Sequence, residues 1–454
     1  MSKSPFKIFL LVLLVVLLLF PLHWLPVFTI AGYEVKRISI VSDVVPENDD
    51  AVTEPLPEIP LPAVPASSSV QDEKQPALPA GLIPILDYDD GSGHGMTPFY
   101  EALRQRNSLG RPVRIAYLGD SFIEADLMTA SLRDQLQEKF GGSGVGYVDM
   151  APPYAAMRST LRQRYGGWKE SCILNKGTFS RRFLNISQRY YEPDSIAWTE
   201  VCGVHLPGLD STAVHTLYLC TSVPHTVGLK LDTGPMLALQ SQGNGTVEAL
   251  SYKGMSHKAR WQVTAGNGVK CFGVAEESLQ GVVLDNLSLR GSSGMQLNML
   301  SESNMRQWNN VRPYDLIVLQ YGLNVANKKQ TNYAYYTTQM SKVIERIKKA
   351  FPHTSILIVG VGDRGSRNSN GDISTMPGIV ELSHYQQKLA ADSHVAFWNL
   401  YEAMGGKGAM KRMAEAKPAE AAKDYTHITK IGGKRVSAFL FKSLVYGYEQ
   451  FKYK

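Results

Sequence analysis

Short, largely apolar runs of strand length alternate along this chain with longer segments whose apolar residues recur every three to four positions. Such alternation restricts a chain to a parallel sheet covered by helices on both faces, because strands buried on both sides read as continuous apolar runs. Residues 113–118 form one such run and lead into a helical stretch over 125–140, where Met128, Leu132, Leu136 and Phe140 make a stripe. Residues 315–321 read as a second buried strand, followed by a helix with Tyr336, Met340, Val343, Ile344 and Ile347 on one face. Residues 356–361 and 395–400 are further strands, and a last helix over 434–448 turns Val436, Leu440 and Leu444 inward.

Between about 162 and 285 that rhythm stops. Short alternating segments such as 216–219 and 227–231 are separated by turn signals, among them Asn244-Gly245 and Asn267-Gly268. This pattern predicts an all-β sandwich inserted into the α/β domain. Trp168, Trp198 and Trp261 lie in or beside it, and their rings suit either a core or the face of a sugar.

The amino terminus predicts where the chain resides. Lys3 and Lys7 precede thirteen apolar residues, Ile8 to Phe20, and the apolar character continues to Ala31 with no acidic residue before Glu34. Basic charge ahead of so apolar a segment sends the remainder across a membrane, and a stretch of about 24 residues suits a spanning helix better than a cleaved signal. Nine of the 24 prolines fall between Pro46 and Pro84, a composition that makes an extended tether. The expected organisation is an anchor or signal over 1–31, a linker over 32–95, an α/β domain over 96–160 resuming over 286–454, and the insertion over 161–285. This order places an inner-membrane anchor before a periplasmic catalytic domain.

The net charge of +6 is spread along the chain without a basic block, which disfavours nucleic acid as a partner. Cys172, Cys202, Cys220 and Cys271 lie together in a segment expected to be exported, so two disulfides are anticipated, with three pairings open. No CxxC pair suggests a metal.

Gly119-Asp120-Ser121 closes the first apolar run, and open α/β sheets carry their chemistry at the carboxyl edge of such strands. A serine becomes nucleophilic only when a base takes its proton and a third group orients that base. Asp424-Tyr425-Thr426-His427, just before Gly432-Gly433 and the last helix, can supply both on one loop. Charge developing on a carbonyl oxygen needs fixed donors. Gly291 and Asn324, each after a strand-like run, are the candidates: a bare backbone N–H and a carboxamide.

Gly119-Asp120-Ser121, Gly291, Gly322-Leu323-Asn324 and Asp424-x-x-His427 stand in the order found in the SGNH, or GDSL-type, hydrolases, which this chain resembles over roughly 97–153 and 282–454. The resemblance implies a flavodoxin-like parallel sheet between helices. It also implies Ser121 as nucleophile, His427 as base, Asp424 as its orienting carboxylate, and an oxyanion hole from Ser121 N–H, Gly291 N–H and Asn324. Phe122 stands where the family commonly has leucine, and Val325 where an aspartate often follows the asparagine. The glycine-rich segment 141–147 and the β insertion ending at 281–285 are similar to the peptidoglycan O-acetylesterases. The function this implies is a cofactor-free serine esterase that removes O-acetyl groups from an envelope glycan. An O-acetyltransferase with the same triad and a non-catalytic glycan-binding protein are the alternatives.

Overall fold

The computed structural model describes residues 28–30, 33–35, 77–175, 177, 179–368 and 371–453. Phe28–Ile30 and Tyr33–Val35 form an antiparallel hairpin in a first small unit. The expected anchor and most of the expected linker otherwise lie outside the described residues. Among the described residues no helix is long and apolar enough to cross a membrane.

The second unit is built on a six-stranded sheet in the order Val282–Ser288, Val113–Gly119, Leu316–Gln320, Ser355–Val359, Ala396–Trp398, Leu86–Asp87. The first five strands are parallel, and Leu86–Asp87 closes the edge antiparallel to Ala396–Trp398. Taken in chain order the parallel strands read 2-1-3-4-5, the flavodoxin-like arrangement expected. Because the chain leaves Val113–Gly119 to one side and returns on the other, the crevice at the carboxyl end of that strand is the topological switch point, where ligands of open α/β sheets bind. Gly119 lies level with both Ser288 and Gln320, so three strand ends converge there.

Thr129–Phe140, Ala334–Ala350, Ile379–Asp392 and Lys430–Phe451 supply the covering helices, with the predicted stripes buried. Thr129–Phe140 starts four residues later than the expected 125. Ala125 and Asp126 take positive φ angles of 54° and 64°, a conformation helices exclude and L-residues adopt only at a cost. The Asp126 carboxylate is held in that turn by Arg133, Arg158 and Thr160, which hold its pKa far below the usual range despite burial.

The chain enters the insertion at Gly146–Asp149, which pairs with Lys270–Glu277, and rejoins the central sheet at Val282–Ser288. The insertion is β-rich, and hydrogen bonds join its strands into one nine-stranded sheet. The cause is Arg189–Cys202, whose 14 residues pair with Arg162–Cys172 on one side and pass from Lys270–Glu277 to Lys258–Thr264 on the other. Both arms contribute to one apolar core, with Val227, Leu229 and Trp261 from one and Leu217, Leu219 and Val274 from the other.

The four cysteines are free thiols, contrary to the disulfides anticipated. Cys220 pairs in register with Lys270 and Cys271 with Leu219, so the two cysteines sit diagonally across adjacent strands and point to opposite faces. Cys271 joins the insertion core and Cys220 the core shared with the hydrolase domain. The Cys202 thiol faces His257 Nε2 at 3.2 Å.

A buried charge network fastens the insertion to the central sheet. Arg312 grips both oxygens of Asp285 at 2.7 Å, donates to Tyr218 at 2.7 Å and pairs with Glu277, which also receives Arg114 at 2.8 Å. Burial pushes the Glu277 carboxyl up, but Arg114 and Arg312 outweigh it and hold its pKa at about 2. With every charge partnered, the network fixes the relative position of the two sheets.

Candidate active site

Ser121 lies two residues beyond the end of Val113–Gly119 and is buried. Its Oγ is 3.0 Å from His427 Nε2, and His427 Nδ1 is 2.7 Å from Asp424 Oδ2. A carboxylate accepting from Nδ1–H leaves Nε2 free to accept the serine proton, so the three side chains form one continuous path for a proton.

The loop carrying Asp424 and His427 is fixed locally. Asp424 Oδ1 accepts from the backbone N–H of Thr426 at 3.0 Å and of His427 at 3.1 Å, a turn stabilised by its own aspartate. Tyr425 takes the left-handed φ of 54° that the turn needs, and its carbonyl accepts from Gly365 N–H at 2.7 Å. Ala421 and Ile428 form an antiparallel bridge across the loop, and Thr429 then caps the last helix by accepting from Gly432 N–H. Partial burial raises the Asp424 carboxyl, but its bonds from His427 and Thr426 win and hold it below the usual range.

The last helix docks directly on the segment after the nucleophile. A Cβ on Gly433 would lie 1.7 Å from the Leu127 carbonyl oxygen, and one on Gly432 would lie 1.9 Å from that of Glu420. Only glycines allow this approach, which brings His427 to Ser121 across 306 residues of chain.

Gly291 has φ of 80° and faces open space, with nothing within 4 Å of where a Cβ would stand. Arg290, immediately before it, pairs with the buried Glu124 three residues after Ser121, which ties the Gly291 loop to the nucleophile loop. Asn324 follows Leu316–Gln320 through Gly322, whose φ of 137° makes the turn. Its Nδ2 donates to Asp120 Oδ2 at 3.1 Å and to the Ser292 carbonyl at 3.0 Å. Burial pushes the Asp120 carboxyl up to about 6, against the N–H of Phe122, His427 and Asn324. The structure joins Ser121, His427 and Asp424 directly, sets Asn324 against Asp120 next to the nucleophile, and ties the Gly291 loop to the nucleophile loop through Arg290 and Glu124.

Asp120 and Ser292 were not singled out by sequence reasoning. Both act on Asn324 from distant chain positions, and only the Asp120 position within Gly-Asp-Ser hinted at either. Among the tryptophans, Trp261 is fully buried, the Trp168 indole donates to the Trp198 carbonyl, and the Arg260 guanidinium covers the Trp198 ring at 3.9 Å. These contacts are those of a core and of covered rings.

No family model and no curated protein sequence matches the chain. The molecule has a flavodoxin-like α/β fold interrupted by a β-rich insertion, the arrangement that the resemblance to the SGNH hydrolases implies. Among solved structures, a peptidoglycan O-acetylesterase superposes on it with a TM-score of 0.66, covering 80% of this chain and 99% of its own at 19% identity. A Bacillus subtilis protein has 12% identity over 67% of this chain and 97% of its own, with a TM-score of 0.32. A family two carbohydrate esterase from Cellvibrio japonicus has 7% identity over 63% and 99%, with a TM-score of 0.26. The last two are too distant to carry an argument.

Proposed function

We propose that the protein is a serine esterase that removes O-acetyl groups from an envelope glycan, most plainly peptidoglycan. The observation that carries the reading is the unbroken Ser121–His427–Asp424 hydrogen-bond path at the switch point of the sheet. Ser121 Oγ attacks the acetyl carbonyl while His427 Nε2 takes its proton. The oxyanion of the tetrahedral intermediate is met by the N–H groups of Ser121 and Gly291 and by the Asn324 carboxamide. His427 then returns the proton to the departing sugar hydroxyl, leaving acetyl on Ser121. Water activated by His427 attacks that ester, and acetate leaves.

Asn324 has both amide hydrogens engaged in the resting state, by Asp120 and the Ser292 carbonyl. In the reaction its carboxamide tilts to share one of them with the oxyanion, a tightening common when a substrate arrives. The glycan substrate is supported by the shared architecture with the peptidoglycan O-acetylesterase, and the envelope location by the basic, then apolar amino terminus.

The test is acetate release from O-acetylated peptidoglycan by the wild type, Ser121→Ala and His427→Ala. The wild type is expected to release acetate and each variant to lose activity by a factor on the order of 10³ or more. Full activity in Ser121→Ala would sink the acyl-enzyme mechanism.

A further inference from the structure

The segment Asp363-Arg364-Gly365 follows the strand Ser355–Val359 at the carboxyl edge of the central sheet, the edge that also carries Ser121 and Asn324. It holds two loops of the site that lie far apart in the chain. Arg364 Nη1 donates to the Leu323 carbonyl at 2.9 Å and to the Ala326 carbonyl at 3.3 Å, one residue before and two after Asn324. Those carbonyls belong to a tight turn in which Val325 and Ala326 N–H both donate to the Gly322 carbonyl, at 2.9 and 3.0 Å. One residue on, Gly365 N–H donates to the Tyr425 carbonyl, between Asp424 and His427. A Cβ on Gly365 would lie 2.7 Å from the Tyr425 Cβ, so the two backbones meet as closely as a glycine permits.

We propose that Arg364 is a positioning residue, holding the Asn324 loop in register with the loop of His427, an inference that rests on the serine-esterase reading above. The segment itself is fixed from behind. The Arg364 carbonyl accepts from Met376 N–H at 2.7 Å, and the buried Asp363 accepts from Met410 N–H at 2.7 Å in the first turn of the helix Ala409–Glu415. That helix in turn takes Glu420 and Ala421 N–H on its Met413 carbonyl, and Ala421 bridges to Ile428 beside His427. A planar guanidinium suits the task, since its charged N–H groups bond carbonyls more strongly than neutral donors and its fork is pre-organised. An oxyanion donor works only within a narrow range of distance, so a loop that drifts by about 1 Å forfeits much of its effect. Arg364 therefore acts on the barrier through Asn324.

The test is a double-mutant cycle read on 4-nitrophenyl acetate with the full chain: wild type, Arg364→Ala, Asn324→Ala and the double variant. Arg364→Ala is expected to lower kcat by about tenfold or more with KM nearly unchanged. Asn324→Ala is expected to lower it on the order of 10²–10³-fold, and the double variant no further than Asn324→Ala alone. Should Arg364→Ala not fold, Arg364→Gln, which keeps one donor and most of the stem, takes its place under the same criterion. Losses that multiply in the double variant would show that Arg364 does not act through Asn324 and would overturn the proposal. An unchanged kcat, or a loss confined to KM, would overturn it as well, and each of these results leaves the serine esterase standing. A wild type inert toward both the aryl ester and acetylated glycan would overturn the esterase reading and the role of Arg364 together.

Discussion

Gly433 meets Leu127 so closely that a Cβ would lie 1.7 Å from the Leu127 carbonyl oxygen. Replacing a helical glycine by alanine ordinarily stabilises by about 1 kcal/mol. Here the obstacle is backbone, which no rotamer change can relieve. Gly433→Ala is expected to destabilise the fold by about 2 kcal/mol and to lower kcat by displacing His427 from Ser121. Urea unfolding together with esterase kinetics checks both, and a stabilised variant of full activity would show that the contact does not position the base.

Asp120 predicts a pH signature in stability. Its pKa in the folded protein is about 6, against roughly 3.9 in an unfolded chain. Between those values the folded state keeps a proton that the unfolded state has released. The contribution of Asp120 is therefore greatest below about pH 4 and falls as pH rises through 6, by about 3 kcal/mol in all. Asp120→Asn stays neutral throughout, so its stability relative to the wild type should climb from pH 4 to 7. Its new amide would face Asn324 Nδ2, donor against donor, and kcat should drop roughly tenfold or more. A pH-independent stability difference would contradict the placement of this carboxyl.

Asp424 is half exposed, so its replacement should spare the fold and cost less than about 1 kcal/mol. Asp424→Asn can no longer hold His427 in the tautomer that accepts from Ser121. A fall in kcat on the order of 10²–10⁴, with KM nearly unchanged, is expected from steady-state kinetics. A pure KM effect would place Asp424 in substrate binding instead.

What the sequence disclosed follows from the range of each interaction. The strands 113–119 and 316–320 and their helices are written in local apolar periodicity; Ser121 announces itself by its position after a strand, and His427 and Asp424 by residue type and spacing ahead of the last helix. Asp120 with Asn324, Gly433 with Leu127 and Arg312 with Glu277 are pairings across the fold that leave no local pattern. The cysteines mislead for the same reason: their clustering along the chain says nothing of the sheet faces that send Cys220 and Cys271 apart. The long strand Arg189–Cys202 joins the insertion into one sheet through a change of partner that alternation alone does not encode.

The central claim is that Ser121, activated by His427, is the acyl-accepting nucleophile. Treatment with a serine-directed organophosphorus fluoride, followed by peptide mass spectrometry, addresses it most directly. A single adduct on Ser121 is expected, forming in step with loss of acetate release, absent in Ser121→Ala and much slower in His427→Ala. Inactivation with the adduct on another residue, or full activity with Ser121 modified, would contradict the account.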